Sequence, residues 1–295
     1  MELKLFSYKT ENNKHRCGVE IGENSYTLYP HYHSMIELIK KHDGIFSKPI
    51  LNLFNQNLLK PIENKSSLQF APPIISPNKL ICVAGNYLDH VKEGGINPDA
   101  RPEIKQAPWM FLVPPSTVMV GHGERVIYPP KANCIDYEGE LAFVISRYAK
   151  DIKVKDASDY IAGYTIFNDV SERKPFMIED VKKPRDLSFW YKKSFDTFGP
   201  IGPYLIPAES CDANALCIES YVNDTLKQSC QTSEMIFNIP KLISFLSSFM
   251  TLEPGDIIST GTPSGVGAAS GDYLKKGDRM KINIEGIGSL ENTIY

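Results

Sequence analysis

The chain has no long apolar run and no excess of charge of one sign. No segment approaches the ~20 apolar residues that a membrane-spanning helix requires. Its 32 basic and 35 acidic side chains leave a net charge of −3, so the sequence offers no global basic surface to a polyphosphate. We therefore expect neither a membrane nor a nucleic acid among its partners.

The cysteines show no pairing pattern. The six cysteines form no Cys-x-x-Cys pair and no Cys/His zinc spacing; they stand at positions 17, 82, 134, 211, 217 and 230. Scattered cysteines of this kind are typical of a reducing compartment. The first residues also lack the apolar segment of a signal peptide. These absences predict a soluble, cytoplasmic protein.

The 295 residues are enough for one large domain or two smaller ones. The N-terminal residues combine short strands at 3–8, 17–21 and 26–29 with helical patterns at 35–41 and 50–58. Residues 61–77 are rich in proline, which cannot extend a helix or a central strand, and they predict a linker. We expect a small N-terminal α+β domain at residues 1–72 and a catalytic domain at residues 73–295.

Strands dominate the sequence after this linker. The predicted strands are 80–84, 109–113, 140–145, 161–167, 200–206 and 218–222. Asn223 and Asp224 follow the last of these and predict a hairpin turn. Apolar residues at helical spacing predict a helix at 233–249, with Ser233 as its N-cap and a break or kink at Pro240.

Residues 136–140 read Asp-Tyr-Glu-Gly-Glu and lead into the apolar run 141–145. On a strand, alternation would place Asp136, Glu138 and Glu140 on one face. Like charges at that spacing disfavour ionisation. A divalent cation such as Mg²⁺ or Mn²⁺ would relieve the repulsion through hard oxygen ligands. The alternative is a solvated face of an edge strand.

Another carboxylate, Asp169, stands where the strand at 161–167 would end. Beside Glu138 and Glu140 it would complete one face of an octahedral site. Mg²⁺ usually leaves several of its positions to water or substrate. The alternative is an aspartate that forms a turn or caps a helix.

His90 and Glu93 are three residues apart, so on a helix they lie on one face and can hydrogen-bond. A carboxylate orients an imidazole and raises its basicity, as a general base requires. The alternative is a surface His/Glu pair. The polar segment 96–108, which contains three prolines, follows and is long enough to act as a lid.

Two further segments carry candidate polar groups. Lys193 precedes an aromatic stretch that ends in Gly199 and Pro200, and a lysine near an enolate stabilises its negative charge. The alternative is a solvated lysine pair. Residues 259–267 form a glycine-rich loop that is no P-loop. It can still offer backbone N–H groups and the Thr262 hydroxyl to a carboxylate, although a lone glycine-rich loop is a weak signal.

Taken together and in this order, the motifs resemble those of the fumarylacetoacetate hydrolase family. The matching stretches cover about residues 75–295. They are Gly85-Asn86-Tyr87 with His90 and Glu93, Asp136-Tyr137-Glu138-Gly139-Glu140-Leu141, Asn168-Asp169-Val170-Ser171 with Arg173, Lys193-Ser194-Phe195-Asp196-Thr197-Phe198, and Thr251-Leu252-Glu253-Pro254-Gly255-Asp256 leading into residues 260–267.

The resemblance implies an α+β fold, a mixed β-sandwich roll with a small N-terminal domain, and a homodimer. It also implies a Mg²⁺ or Mn²⁺ site and three groups of site residues. The metal ligands would be Glu138, Glu140 and Asp169. The catalytic residues would be His90 and Glu93, which handle water or a proton, and Lys193, which stabilises an enolate. The substrate-binding residues would be Tyr87, Arg173 and Thr262.

The resemblance implies that the protein is a metal-dependent hydrolase, which cleaves a C–C bond in a small 2-oxo or 1,3-diketo acid, such as an acylpyruvate. The alternatives are a decarboxylase, hydratase or isomerase acting on a related 2-oxo acid, or a 2-oxo-acid-binding protein without catalysis. The last alternative rests on Lys174-Pro175-Phe176. At this point relatives often continue with an aspartate and then a glutamine that contacts substrate.

Overall fold

The computed structural model describes residues 2–65, 68–174 and 189–295. Pro175 and Phe176, where the sequence departs from the family pattern, lie outside these residues. Within its N-terminal part, the described chain forms the elements β1 (Leu3–Lys9), β2 (His15–Ile21), β3 (Asn24–Thr27), α1 (Met35–His42), α2 (Ser47–Asn55), β4 (Lys60–Pro61) and β5 (Gln69–Ala71). Each strand and helix predicted before residue 60 is present, but the strand predicted at 26–29 lies at 24–27 and the helix predicted at 50–58 lies at 47–55.

The rest of the described chain is mostly strands joined by short helices. Its strands are β6 (Leu80–Ala84), β7 (Trp109–Val113), β8 (Met119–Val120), β9 (Arg125–Val126), β10 (Ile135–Asp136), β11 (Gly139–Ile145), β12 (Ile161–Asn168), β13 (Ser171–Glu172), β14 (Gly199–Pro200), β15 (Tyr204–Pro207), β16 (Cys217–Val222), β17 (Thr225–Gln231), β18 (Ile257–Ser259), β19 (Arg279–Ile284) and β20 (Gly288–Ile294). Its helices are α3 (Leu88–Glu93), α4 (Pro115–Val118), α5 (Phe189–Lys193), α6 (Ile239–Phe249) and α7 (Gly267–Ser270).

The larger sheet has the strand order β4-β3-β2-β1-β15-β12-β11-β18-β6-β7, and β5 pairs with β1. Its N-terminal strands join the rest where β1 pairs antiparallel with β15, with Leu5 opposite Leu205. Leu5 also belongs to the same buried apolar cluster as Val144 of β11. The sheet and the core therefore both cross residue 72, and the division into two domains stays a prediction.

A second sheet of order β17-β16-β19-β20-β9 packs against the first. Ile218, Ile282 and Leu290 of this sheet share one buried cluster with Phe143 and Ile166 of the larger sheet. Burial of apolar side chains between the two layers is the main force that holds such a sandwich together. The fold is thus α+β, a mixed β-sandwich of the expected type. None of the helices in the described part of the chain is both long and apolar enough to cross a bilayer.

The hairpin between β16 and β17 turns at Asn223 and Asp224, as predicted. Both residues have positive φ angles, 48° and 65°. A two-residue turn with positive φ at both positions matches the twist of the strands that it joins. Asparagine and aspartate tolerate this conformation better than most residues.

The predicted helix at 233–249 begins six residues later than expected. Helix α6 starts at Ile239, and its cap is Asn238, whose side chain accepts a hydrogen bond from the Lys241 amide at 3.2 Å. Ser233 lies instead in a short 3₁₀ turn over Thr232–Glu234. Pro240 causes no kink, because it occupies the first turn of the helix, where the N–H that proline lacks has no partner inside the helix.

Candidate active site

Three buried carboxylates meet where β11 begins and β12 ends. Gly139 faces Asn168 across this antiparallel pair, so Glu138 and Asp169 lie at the same end of the two strands. The Asp169 amide donates to the Glu138 carbonyl oxygen at 3.0 Å. Glu138, Glu140 and Asp169 each place one carboxylate oxygen within 4.8 Å of the others. The structure therefore brings together the three predicted metal ligands.

Asp136 does not share this face, and the expectation that it would is wrong. The regular strand breaks after Asp136: β10 pairs with β13, whereas β11 starts at Gly139 and pairs with β12. The Asp136 carboxylate turns toward helix α7 and accepts hydrogen bonds from the amides of Gly267 at 2.6 Å and Ala268 at 2.9 Å.

The three carboxylates form a donor set that fits a divalent cation. Burial, together with the negative charges of Asp169 and Glu138, raises the pKa of Glu140 well above its ordinary value. Burial also raises the pKa of Asp169 to about 6, against the opposing effect of Lys193. Without a cation, both carboxyl groups are therefore harder to ionise than free ones, and a bound divalent cation would favour their ionised forms. Carboxylate oxygens are hard donors of the kind that Mg²⁺ and Mn²⁺ prefer.

Two cations, Lys193 and Arg173, border the cluster. Lys193 Nζ donates to Asp169 Oδ2 at 2.7 Å and also contacts Glu138. Arg173 donates from Nη2 to Glu138 Oε1 at 2.5 Å and from Nε to Asp136 Oδ2 at 2.8 Å. Burial alone would raise the pKa of Glu138, but Lys193 and Arg173 outweigh it and lower this pKa to about 2. Glu138, which contacts both cations, therefore stays ionised.

His90 and Glu93 form the predicted pair on helix α3. His90 Nδ1 and Glu93 Oε1 are 2.7 Å apart. The second oxygen of Glu93 accepts a hydrogen bond from the Gly265 amide at 2.8 Å. A carboxylate held at both oxygens has few alternative orientations, so it fixes the direction of the imidazole ring that it contacts.

One cavity of about 710 Å³ joins these groups, and every predicted site residue except Tyr87 lines it. The segment 96–108 also contributes to the wall, and its lid role stays a prediction. Most of the remaining lining is apolar and includes Trp109, Phe111, Phe237 and Val266. The cavity therefore combines a cluster of charged groups with an apolar remainder.

Tyr87 does not take the position expected of a substrate ligand. Its backbone forms an isolated β-bridge with Met235, and its buried side chain is absent from the cavity wall. The Asn86 side-chain amide donates to the carbonyl oxygens of Phe237 and Thr260, which ties this turn to the protein interior.

Thr262 lines the cavity, but its hydroxyl already has partners. It donates to the Gly139 carbonyl oxygen at 3.1 Å and accepts from Gln228 Nε2 at 2.8 Å. Gln228 also accepts from the Gly139 amide at 3.0 Å, so it joins the glycine-rich loop to the start of β11. No sequence pattern marked Gln228 as a site residue, because a single glutamine in a strand is typical of a solvated face.

Comparison with known proteins agrees with this geometry. The sequence model "Fumarylacetoacetate (FAA) hydrolase C-terminal" matches residues 79–295. The oxaloacetate tautomerase YisK of Bacillus subtilis is 43% identical over 234 residues, which are 78% of this chain and 74% of that protein.

Two solved structures are similar over nearly their whole length. A fumarylacetoacetate hydrolase from psychrophilic Exiguobacterium antarcticum is 30% identical with a TM-score of 0.81, covering 99% of both chains. A maleylpyruvate hydrolase from Sphingobium sp. SYK-6, in complex with manganese (II) ion and pyruvate, is 26% identical with a TM-score of 0.77 and covers 99% of this chain and 98% of its own. The protein described here therefore belongs to the fumarylacetoacetate hydrolase family.

Proposed function

We propose that this protein is a divalent-metal-dependent enzyme that forms an enolate from a small 2-oxo acid. One observation carries the proposal: three buried carboxylates, a His/Glu pair and a buried lysine line the same cavity. Glu138, Glu140 and Asp169 would hold Mg²⁺ or Mn²⁺. When bound, the metal would supply Lewis-acid polarisation of the 2-oxo group.

The protein side chains divide the remaining chemistry. His90, oriented by Glu93, would take a proton from the carbon next to the 2-oxo group or from a water molecule. Lys193, an ammonium held against Asp169, would stabilise the negative charge that develops on the enolate oxygen. Arg173 would attract the substrate carboxylate. Thr262 would shape the wall, because its hydroxyl proton is directed at Gly139.

The first candidate reaction is keto–enol tautomerisation of a 2-oxo acid such as oxaloacetate. This reaction only moves a proton from the carbon to the carbonyl oxygen, and a single positioned acid–base group can both remove the proton and deliver it. The similarity to the oxaloacetate tautomerase of Bacillus subtilis supports this candidate.

The second candidate is hydrolysis of a C–C bond in an acylpyruvate-like acid. Here His90 would activate water for attack on the second carbonyl. The C–C bond then breaks, and its electron pair stays on the pyruvate fragment as an enolate that takes up a proton. The large, mainly apolar remainder of the cavity supports this candidate, because it has room for an acyl group.

A substrate panel with Mn²⁺ tests the proposal. Enol-oxaloacetate and acetylpyruvate would be followed by the loss of their ultraviolet absorbance, and pyruvate release would identify cleavage. We expect turnover of at least one compound, which EDTA and Glu140→Gln abolish. Binding of oxalate without turnover of any 2-oxo or 1,3-diketo acid would contradict the proposal and indicate a binding protein.

A further inference from the structure

A chain of hydrogen bonds joins Tyr137 to His90 through the backbone of the glycine-rich loop. The Tyr137 hydroxyl donates to the Gly265 carbonyl oxygen at 3.0 Å. The Gly265 amide donates to Glu93 Oε2 at 2.8 Å, and Glu93 Oε1 lies 2.7 Å from His90 Nδ1. A buried phenol next to a proposed metal ligand thus contacts the carbonyl oxygen of the same residue whose amide supports the His/Glu pair.

The backbone at position 265 requires glycine. Its φ angle is +102°, and a Cβ atom would lie 2.1 Å from the Lys227 carbonyl oxygen. A side chain at this position would therefore displace the backbone. Two residues further on, Gly267 and Ala268 donate to Asp136. The adjacent residues Asp136 and Tyr137 thus hold residues 265–268 from one side.

The His/Glu pair needs such support because its helix is short. Helix α3 has only six residues, and Gly94 and Gly95 follow it directly. A helix of this length is marginal on its own, so tertiary contacts decide where its last turn lies. The bond from the Gly265 amide to Glu93 is one such contact. It acts directly on the side chain that orients His90.

We propose that Tyr137 is a positioning residue for the His90–Glu93 pair and acts through Gly265. The Tyr137 hydroxyl holds the Gly265 carbonyl group, which limits the backbone rotation of this residue, and the Gly265 amide holds the Glu93 carboxylate. The inference rests on the proposed function only in so far as His90 serves as the acid–base group. The placement of Glu93 by the loop is a property that can be measured without any substrate.

The first test is amide hydrogen exchange of the Mn²⁺-loaded protein. Tyr137→Phe removes one hydroxyl and keeps the ring. We expect the Gly265 amide to exchange roughly 3- to 10-fold faster in this variant, the size expected for loss of one hydrogen bond. Tyr8→Phe is the matched control, because it removes a hydroxyl that donates to Thr27 at 3.0 Å in the N-terminal strands. Unchanged exchange at Gly265 in Tyr137→Phe would overturn the proposal.

A second variant acts on the Gly265 amide, whereas Tyr137→Phe acts on the carbonyl group of the same residue. Glu93→Gln weakens the acceptor of the Gly265 amide and leaves the Tyr137 ring in place. We expect faster exchange at Gly265 and unchanged exchange at Gly267. Should Tyr137→Phe fold poorly, this variant decides whether the Gly265 amide is held by Glu93. Protection at Gly265 that stays at the wild-type level would then contradict the chain of contacts.

The third test is a double-mutant cycle with a substrate that the panel identifies. Tyr137→Phe should lower kcat about 3- to 30-fold, with KM and Mn²⁺ affinity nearly unchanged. In the His90→Ala background the same change should cost nothing further, since its target is already absent. An additive loss would indicate a general structural role and overturn the proposal. If no substrate is turned over, the proposed function fails, whereas the exchange experiments still decide this inference.

Discussion

Lys193 Nζ donates to Asp169 Oδ2 at 2.7 Å, inside the carboxylate cluster that we propose as a metal site. The ammonium is buried, and burial lowers its pKa. The negative charges of Asp169 and Glu138 outweigh burial and raise this pKa above its ordinary value. The lysine therefore stays charged and contributes one positive charge to a cluster of three carboxylates.

Removal of this charge should destabilise the metal-free protein. Lys193→Met leaves the carboxylates without their buried ammonium, and breaking a buried ion pair from one side costs about 3–5 kcal/mol. We expect a lower Tm without metal and a larger rise in Tm on adding Mn²⁺ than in the wild type. Thermal unfolding measures both, with exposed Lys276→Met as the control. An equal response of Lys193→Met and wild type to Mn²⁺ would contradict a shared site.

His90→Ala should impair turnover and spare the metal site. A positioned acid–base group contributes typically ~10²–10⁴ to kcat. Mn²⁺ affinity should persist, since the proposed ligands are Glu138, Glu140 and Asp169. Steady-state kinetics and calorimetric Mn²⁺ titration provide the two readouts, and exposed His15→Ala serves as the control. A His90→Ala enzyme with nearly wild-type kcat would remove His90 from the mechanism.

Metal binding should strengthen with pH. The pKa of Asp169 is raised to about 6, so this group loses its proton only as pH rises through that value, and only the ionised form ligates a cation. Because this pKa is raised by folding, the protonated group stabilises the metal-free protein at low pH, and that stabilisation is lost as pH rises through about 6. A bound cation compensates for the loss, because it stabilises the ionised carboxylate. The rise in Tm caused by Mn²⁺ should grow from about pH 5 to about pH 7. A constant rise in Tm across this range would refute the prediction.

The segment 96–108 should respond to ligand. Ile96, Arg101 and Ile104 line the cavity, so closure of this segment would shield the site from water. With Mn²⁺ present, we expect its amides to exchange more slowly after oxalate is added. The N-terminal strands provide an internal reference for this comparison. Identical exchange of residues 96–108 in both states would rule out a lid.

The start of helix α6 can be checked by stability. Asn238→Ala should cost about 1 kcal/mol, the usual effect of losing an N-cap side chain. Ser233→Ala should have little effect, because the structure places Ser233 outside the helix. Urea unfolding of the two variants compares them directly. A larger loss for Ser233→Ala would favour the helix start that the sequence predicted.

Local patterns in the sequence predicted much of the fold and the charged part of the site. Alternating apolar residues marked the strands, and Asn223 with Asp224 marked a turn that suits positive φ angles. The spacing of three between His90 and Glu93 matched a contact within one helix. Each of these features depends on residues that are close in sequence, and short-range geometry is sufficient to predict them.

Contacts between residues that are distant in sequence do not follow from local sequence patterns. Glu93 and Gly265 are 172 positions apart, and their hydrogen bond depends on how the glycine-rich loop packs. The sequence pattern placed Asp136 on one acidic strand with Glu138 and Glu140, but β10 and β11 pair with different neighbours. Tyr87 lies beside the His/Glu helix in sequence, yet its side chain is buried away from the cavity wall, and its backbone bridges to Met235.

The pairing of β1 with β15 covers an edge of β15 that would otherwise be open to other chains. β15 lies between β1 and β12, the strand whose end carries Asp169. Without β1, the backbone groups of β15 that face it would form an open edge, and Leu205 would lose its apolar neighbour Leu5. Exposed strand edges recruit other chains and promote aggregation. We therefore expect a protein trimmed to residues 79–295 to retain every proposed ligand and to self-associate more than the full chain.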